Sequence, residues 1–187
     1  MDETTLPLRL SWARLHMAKA DEATFEELYE HYLPRLFNYM IYRLGNRQLA
    51  EDLTATVFEK ALTRIATYRR DRGAFSTWLF TIARNVITDH LRQQARAEIV
   101  NLDDLCALAA PETPETQYLR QEELARLYTG LNLLAERERE IIALKFAAEL
   151  PNTRIAQVVG LSAENVGVIL YRAIGKLRKR FEEENER

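Results

Sequence analysis

The chain has 187 residues, 47% apolar and 29% charged, with six glycines, five prolines and a formal net charge of −2. That composition allows a packed core and favours helices over a turn-rich β fold. No apolar run approaches ~18 residues, which excludes a membrane span, and Cys106 is the only cysteine, which excludes an internal disulfide and fits a reducing cytoplasm.

The N-terminus, MDETTLPLRLSWARLHMAKADE, places acids before its basic residues and lacks a long apolar core, so it does not read as a signal peptide. Residues 1–20 read as an extension in which Leu10, Trp12, Leu15 and Met17 either make a short amphipathic docking segment or stay disordered. The run TFEELYEHY puts Phe25, Leu28, Tyr29 and Tyr32 on one stripe with Thr24 as N-cap. Pro34 is expected to interrupt or restart the helix, and PRLFNYMIYRL then runs to Gly45, a suitable C-terminal stop.

The next helix, over 48–66, turns Ala50, Leu53, Val57, Phe58, Ala61, Leu62 and Ile65 inward. It leaves Glu51, Asp52, Thr56, Glu59 and Lys60 outside. TYRRDRGA breaks helicity as a mobile basic loop, and FSTWLFTIARNVITDHLR resumes it. There Phe75, Leu79, Ile82, Ala83 and Val86 share one side, while Thr77, Thr81, Arg84, Asn85, Thr88 and Arg92 gather on the other. Trp78 stands at the margin. A merely solvated polar face is the plain reading of that pattern taken alone.

Residues 98–120, with APETPET, are acidic, Pro-punctuated and without a helical stripe; they read as a linker, with a short helix around 102–108. Helical periodicity returns from Gln121 to the end. In TRIAQVVGLSAENVGVILYRAIGKLRKR, Ile155 and Val159 are core positions and Ala156 is small where a second helix crosses. Gly160 suits the turn, Leu161 packs beneath it, Ser162 caps the next helix, and Val166 and Ile169 face inward. These positions fit a helix-turn-helix.

Net charge conceals a segregation. Residues 64–96 hold seven arginines against Asp71 and Asp89, a balance of +5, whereas 98–123 hold seven acids against Arg120, a balance of −6. A basic block followed by an acidic connector suggests a surface for a polyanion and a tether that avoids it. His16, His31 and His90 have no ligand-like spacing, and neither a Gly-rich phosphate loop, HExxH nor GxSxG occurs. No catalytic residue, metal or cofactor is expected, and the chain reads as a non-enzyme.

Taken together, AEDLTATVFEKAL (50–62), FSTWLFTIARNVITDHLR (75–92) and LLAEREREIIALKF with the helix-turn-helix after it (133–173) resemble the bacterial extracytoplasmic-function (ECF) sigma factors of the sigma-70 family. The resemblance covers about residues 21–181. It implies an all-α protein of two small helical domains, sigma region two over 21–97 and sigma region four over 121–187, joined by a flexible acidic linker. It further implies a cytoplasmic transcription initiation factor whose partners are core RNA polymerase (β′ and β subunits), promoter DNA and an anti-sigma factor.

By the same resemblance, Asp52, with Glu51, Thr56 and Glu59 on its helix face, grips a polymerase coiled coil. The loop and following helix, through Arg69, Arg70, Arg72, Thr81, Arg84, Asn85, Thr88 and Arg92, capture a flipped base of the minus-ten element. Asn85 offers both donor and acceptor to a base edge, and the arginines suit phosphates. Trp78 is expected as a packing anchor beneath the loop, and Asp89 as a residue that orients arginines. The minus-35 element falls to Arg154, Ser162, Asn165, Val168, Tyr171, Arg172 and Lys176, with Lys179 supporting the backbone contacts.

Two departures stand out. The family run DLTQEVF is DLTATVF here, so Ala55 and Thr56 replace a Gln and a Glu, and TVKSRLHRA is NVGVILYRA, so Gly167 and Ile169 replace a Lys and an Arg. The competing readings are a conventional helix-turn-helix regulator, which leaves the basic loop without a purpose, and a sigma-like protein-interaction module.

Overall fold

The computed structural model describes residues 24–98 and 128–185; the expected N-terminal extension and, apart from Glu98, the expected linker with its short helix lie outside the described residues. Helix α1 spans Phe25–Leu44, α2 spans Arg47–Arg64, and α3 spans Phe75–Glu98. Two short 3-10 turns, Ile65–Thr67 and Arg70–Arg72, join α2 to α3. After helical residues 128–132 come α4 (Glu136–Ile142), a π-turn (Ala143–Ala147), α5 (Asn152–Val159) and α6 (Ala163–Asn185). No strand occurs among the described residues.

Helix α1 opens as expected. The Thr24 hydroxyl accepts from the Glu27 amide at 3.2 Å and the Glu27 carboxylate accepts from the Thr24 amide, a reciprocal capping box. It closes at Gly45, whose φ of 67° places it in the left-handed region. Pro34 corrects an expectation, because it neither interrupts nor restarts the helix but lies exposed within one continuous α1. Buried Phe25 on one side and Leu36, Tyr39 and Met40 on the other form a stripe that only an unbroken helix can present. That burial outweighs one lost backbone hydrogen bond.

Asn46 caps α2 by accepting from the Leu49 amide at 3.0 Å. Ala50, Val57, Phe58 and Ala61 are buried as expected, and Thr54 joins them. The TYRRDRGA segment is not the shapeless loop its composition implies. The Tyr68 hydroxyl donates to the Gly73 carbonyl at 3.2 Å, and the Tyr68 ring packs on Phe75 and Trp78, each with centroids 5.4 Å away. Helix α3 then buries Leu79, Phe80, Ala83, Val86 and Ile87, the larger side chains contributing about 1.5–3 kcal/mol each.

In the second unit, Ile155, Ala156, Val159 and Val166 are buried, and Gly160 ends α5 at φ 70°, ψ 43°. Ser162 accepts from the Asn165 amide at 3.2 Å, and α5 and α6 meet at a bend of 101°. This is helix-turn-helix geometry. No single helix among the described residues is long and apolar enough to cross a membrane.

The two units pack together, with α5 against α3 and the π-turn against α1, and a single cluster of buried side chains runs through both. The charge pattern of the sequence, a tether between two DNA-facing units, gave no sign of this packing.

Candidate nucleic-acid interface

Three surfaces carry the expected residues. On α2, Glu51, Asp52 and Glu59 are exposed and Thr56 is half-buried. Glu51 pairs with Arg47 one turn earlier at 3.0 Å, and the Thr56 hydroxyl donates to the Asp52 carbonyl at 2.9 Å. The result is a helix face with acidic side chains directed at solvent, suited to a basic partner.

The second surface surrounds the start of α3. A recess of about 230 Å³ is lined by Thr67, Tyr68, Arg69, Arg72, Gly73, Ala74, Thr77 and Trp78. It is smaller than the ~300–1,000 Å³ of drug-sized ligand sites, a scale suited to one planar base. Trp78 is half-buried in an aromatic cluster with Tyr68 and Phe75, and Tyr32 stacks on Phe75 at 5.3 Å. Trp78 therefore supports the floor of the recess, in the anchoring position expected of it. Burial pushes the Tyr68 hydroxyl above its ordinary pKa, against the lowering influence of Arg70, so the ring stays neutral.

One turn further on, a wider polar recess of about 500 Å³ is lined by Lys60, Arg64, Ile82, Arg84, Asn85, Val86, Thr88, Asp89 and Arg92. Asp89 lies among four cations there. Asn85 and Arg92 are exposed, as are Arg69, Arg70 and Arg72 in the turn. The Thr81 and Thr88 hydroxyls donate to the Thr77 and Arg84 carbonyls of their own helix at 2.7 and 2.8 Å. Thr88 lines the wider recess and Thr81 lines neither, and with their protons so engaged both hydroxyls accept rather than donate outward.

Lys60 and Arg64, one turn apart on α2, were not assigned to this surface from sequence. Lys60 was expected simply to point outward, but it is half-buried at the edge of the recess. The seven-arginine count that included Arg64 was the available signal.

The third surface is α6. Ser162, Glu164, Asn165, Arg172 and Lys176 are exposed, Val168 is 47% exposed and Tyr171 81% exposed. An isolated aromatic this open on the second helix of a helix-turn-helix is available for contact. Lys176 is not free: it holds Glu138 of α4 at 2.8 Å, and Glu138 also accepts from the Ala135 amide at the start of that helix.

The second surface is not held apart from the second unit, whereas the acidic face of α2 stays open to solvent. The Arg84 Nε donates to Glu140 of α4 at 2.7 Å, Arg154 of α5 donates to the Ser76 hydroxyl at 3.0 Å, and the Thr77 hydroxyl donates to Gln157 at 3.2 Å. Ser76, Gln157 and Glu140 escaped sequence reasoning, since contacts some sixty to eighty residues apart leave no local trace.

Residues 28–97 match the family model for sigma-70 region 2, and residues 130–179 match that for sigma-70 region 4. The chain is 30% identical over 182 residues to the ECF RNA polymerase sigma factor RpoE of Cereibacter sphaeroides, spanning 91% of this chain and 95% of that one. The chain belongs to the ECF sigma factors of the sigma-70 family.

A second relative, the ECF RNA polymerase sigma factor BldN of Streptomyces coelicolor, is 33% identical over 164 residues; the match spans 87% of this chain and 62% of BldN. The fold is also that of CnrH, solved in complex with the cytosolic domain of CnrY (TM-score 0.66, 21% identity, 94% of this chain and 98% of that one). It is likewise that of RpoE from Bartonella quintana, solved with the anti-sigma factor NepR (TM-score 0.67, 22% identity, 84% and 96%). In this sigma factor, the recess before α3 and the basic groove beside it lie in the region-2 match, and the helix-turn-helix lies in the region-4 match.

Proposed function

We propose that the chain binds core RNA polymerase through the acidic face of α2, melts the minus-ten element with the turns and helix that follow, and addresses the minus-35 element with α6. The recess walled by Arg69 and Arg72 and floored by Trp78, with the separate groove of Arg84, Asn85 and Arg92 further along α3, carries this reading. Unstacking a base costs a few kcal/mol, and a pocket that receives its faces and edges offsets that cost. Asn85 supplies the donor–acceptor pair for an edge, while the arginines neutralise flanking phosphates.

On α6, Asn165 and Tyr171 are placed for base edges and Val168 for a thymine methyl. Gly167 and Ile169 add no charge, so Arg154, Arg172 and Lys179 supply the backbone attraction, joined by Lys176 once Glu138 yields. Control by an anti-sigma factor completes the proposal, supported by the complex in which the Bartonella RpoE is seen.

The test is promoter opening with reconstituted polymerase. Asn85→Ala and Arg72→Ala should still join core polymerase but lose thymine reactivity to permanganate across the minus-ten element by roughly tenfold to a hundredfold, the size of one lost bidentate contact at ~1–3 kcal/mol. Full reactivity in both variants would refute the assignment.

A further inference from the structure

The core contacts of α6 define which of its faces looks outward. Val166, Leu170 and Ala173 are buried. At 3.6 residues per turn, the side directly opposite them carries Glu164, Val168 and Tyr171, spaced i, i+4 and i+7. All three are exposed, Val168 at 47% and Tyr171 at 81%. Glu164 is the second residue of the helix, and the N-terminal residues of a recognition helix are the ones that reach base edges in the major groove.

Charge sets Glu164 apart on this face. From Leu161 to Tyr171 it is the only charged side chain, and the first cation, Arg172, lies about two turns further along. Its own amide, and then the Ser162 hydroxyl, hold the Glu164 carboxyl below the ordinary glutamate value, so it is ionised and can only accept. Ser162 also accepts from the Asn165 amide at 3.2 Å, so the cap hydroxyl is taken up within the start of the helix. A lone carboxylate facing a polyanion is unfavourable wherever no group of the DNA donates to it.

Base chemistry narrows the donor to one. In the major groove guanine presents N7 and O6 and thymine presents O4, all acceptors that repel a carboxylate. Adenine presents its N6 amino group beside the acceptor N7, whereas cytosine presents an N4 amino group alone. We propose that Glu164 is a specificity-determining residue that accepts from the N4 amino group of a cytosine, so that the minus-35 element of this sigma factor carries a cytosine facing the first turn of α6. The inference rests on the assignment of α6 to that element, and its test separates the two.

The test is transcription by reconstituted holoenzyme from a barcoded promoter library with a randomised minus-35 element. Wild type should favour cytosine at one position roughly tenfold over each other base, within the range of one good contact to a base edge. Glu164→Ala should lose the preference at that position alone. Glu164→Gln, whose amide both donates and accepts, should turn it toward adenine. A carboxylate that merely stabilises the start of the helix would, when removed, lower transcription from every sequence alike. Such a uniform loss, or a cytosine preference unchanged in Glu164→Ala, would overturn the inference while base preferences elsewhere in the element still support α6 as its reader. A wild-type library without base preference anywhere in the element would instead refute the assignment of α6 itself.

Discussion

Single side chains show where local chemistry was legible and where it was not. Thr24, Gly45, Gly160 and Ser162 act as the sequence implies, because a cap or a left-handed turn is decided within four residues. Arg84 and Lys176 are different: exposed basic residues by pattern, they are bound by Glu140 and Glu138 through tertiary contact. Glu138 gives this a measurable consequence. Its carboxyl is held below the ordinary value, first by the hydrogen bond from Lys176 and then by the Ala135 amide, against the opposing effect of desolvation.

A depressed folded-state pKa adds stability that is complete above the unfolded carboxylate value and is lost as pH falls through the folded one. Lys176→Ala should therefore flatten the acid side of the stability profile below about pH 4.5, where the ordinary glutamate titrates, and leave the shape near neutrality unchanged. Urea melts of the full chain across that range would check it. An acid slope identical to wild type would mean the pair contributes nothing.

At the scale of elements, periodicity located the core faces of α2, α3, α5 and α6 because each buries one stripe against a neighbour. It misjudged Pro34, where a buried stripe continues through a residue that disfavours helix, and it took the turn before α3 for a mobile loop. Composition cannot reveal that Tyr68 closes that turn onto Gly73 and rests on Trp78.

The turn of the helix-turn-helix offers a direct test. A side chain at Gly160 would meet no neighbour within 4 Å, yet φ is +70°, so Gly160→Ala should cost about 1–2 kcal/mol by strain alone. Gly160→Asn should cost less, since Asn tolerates that region better; equal losses in thermal melts would exclude strain as the cause. For α6, duplex binding to a minus-35 site should fall roughly a thousandfold between 50 and 200 mM salt if ~6 phosphates are engaged. A flat response would remove DNA from its role.

For the molecule as a whole, two helical units were legible, but their embrace was not. Hydrophobic pattern says which face of a helix is buried and is silent about which distant element covers it. Electrostatics misled in an instructive way: the basic block appeared waiting for a polyanion, while Glu140, set in the alternating EREREII segment, already supplied a negative group to its Arg84.

Guanidinium groups left bare would adhere to any stretch of duplex, and a genome offers millions of such stretches against a small pool of vacant enzyme. Glu140 engages one of them, Arg84, whereas Arg69, Arg70, Arg72 and Arg92 stay open to solvent.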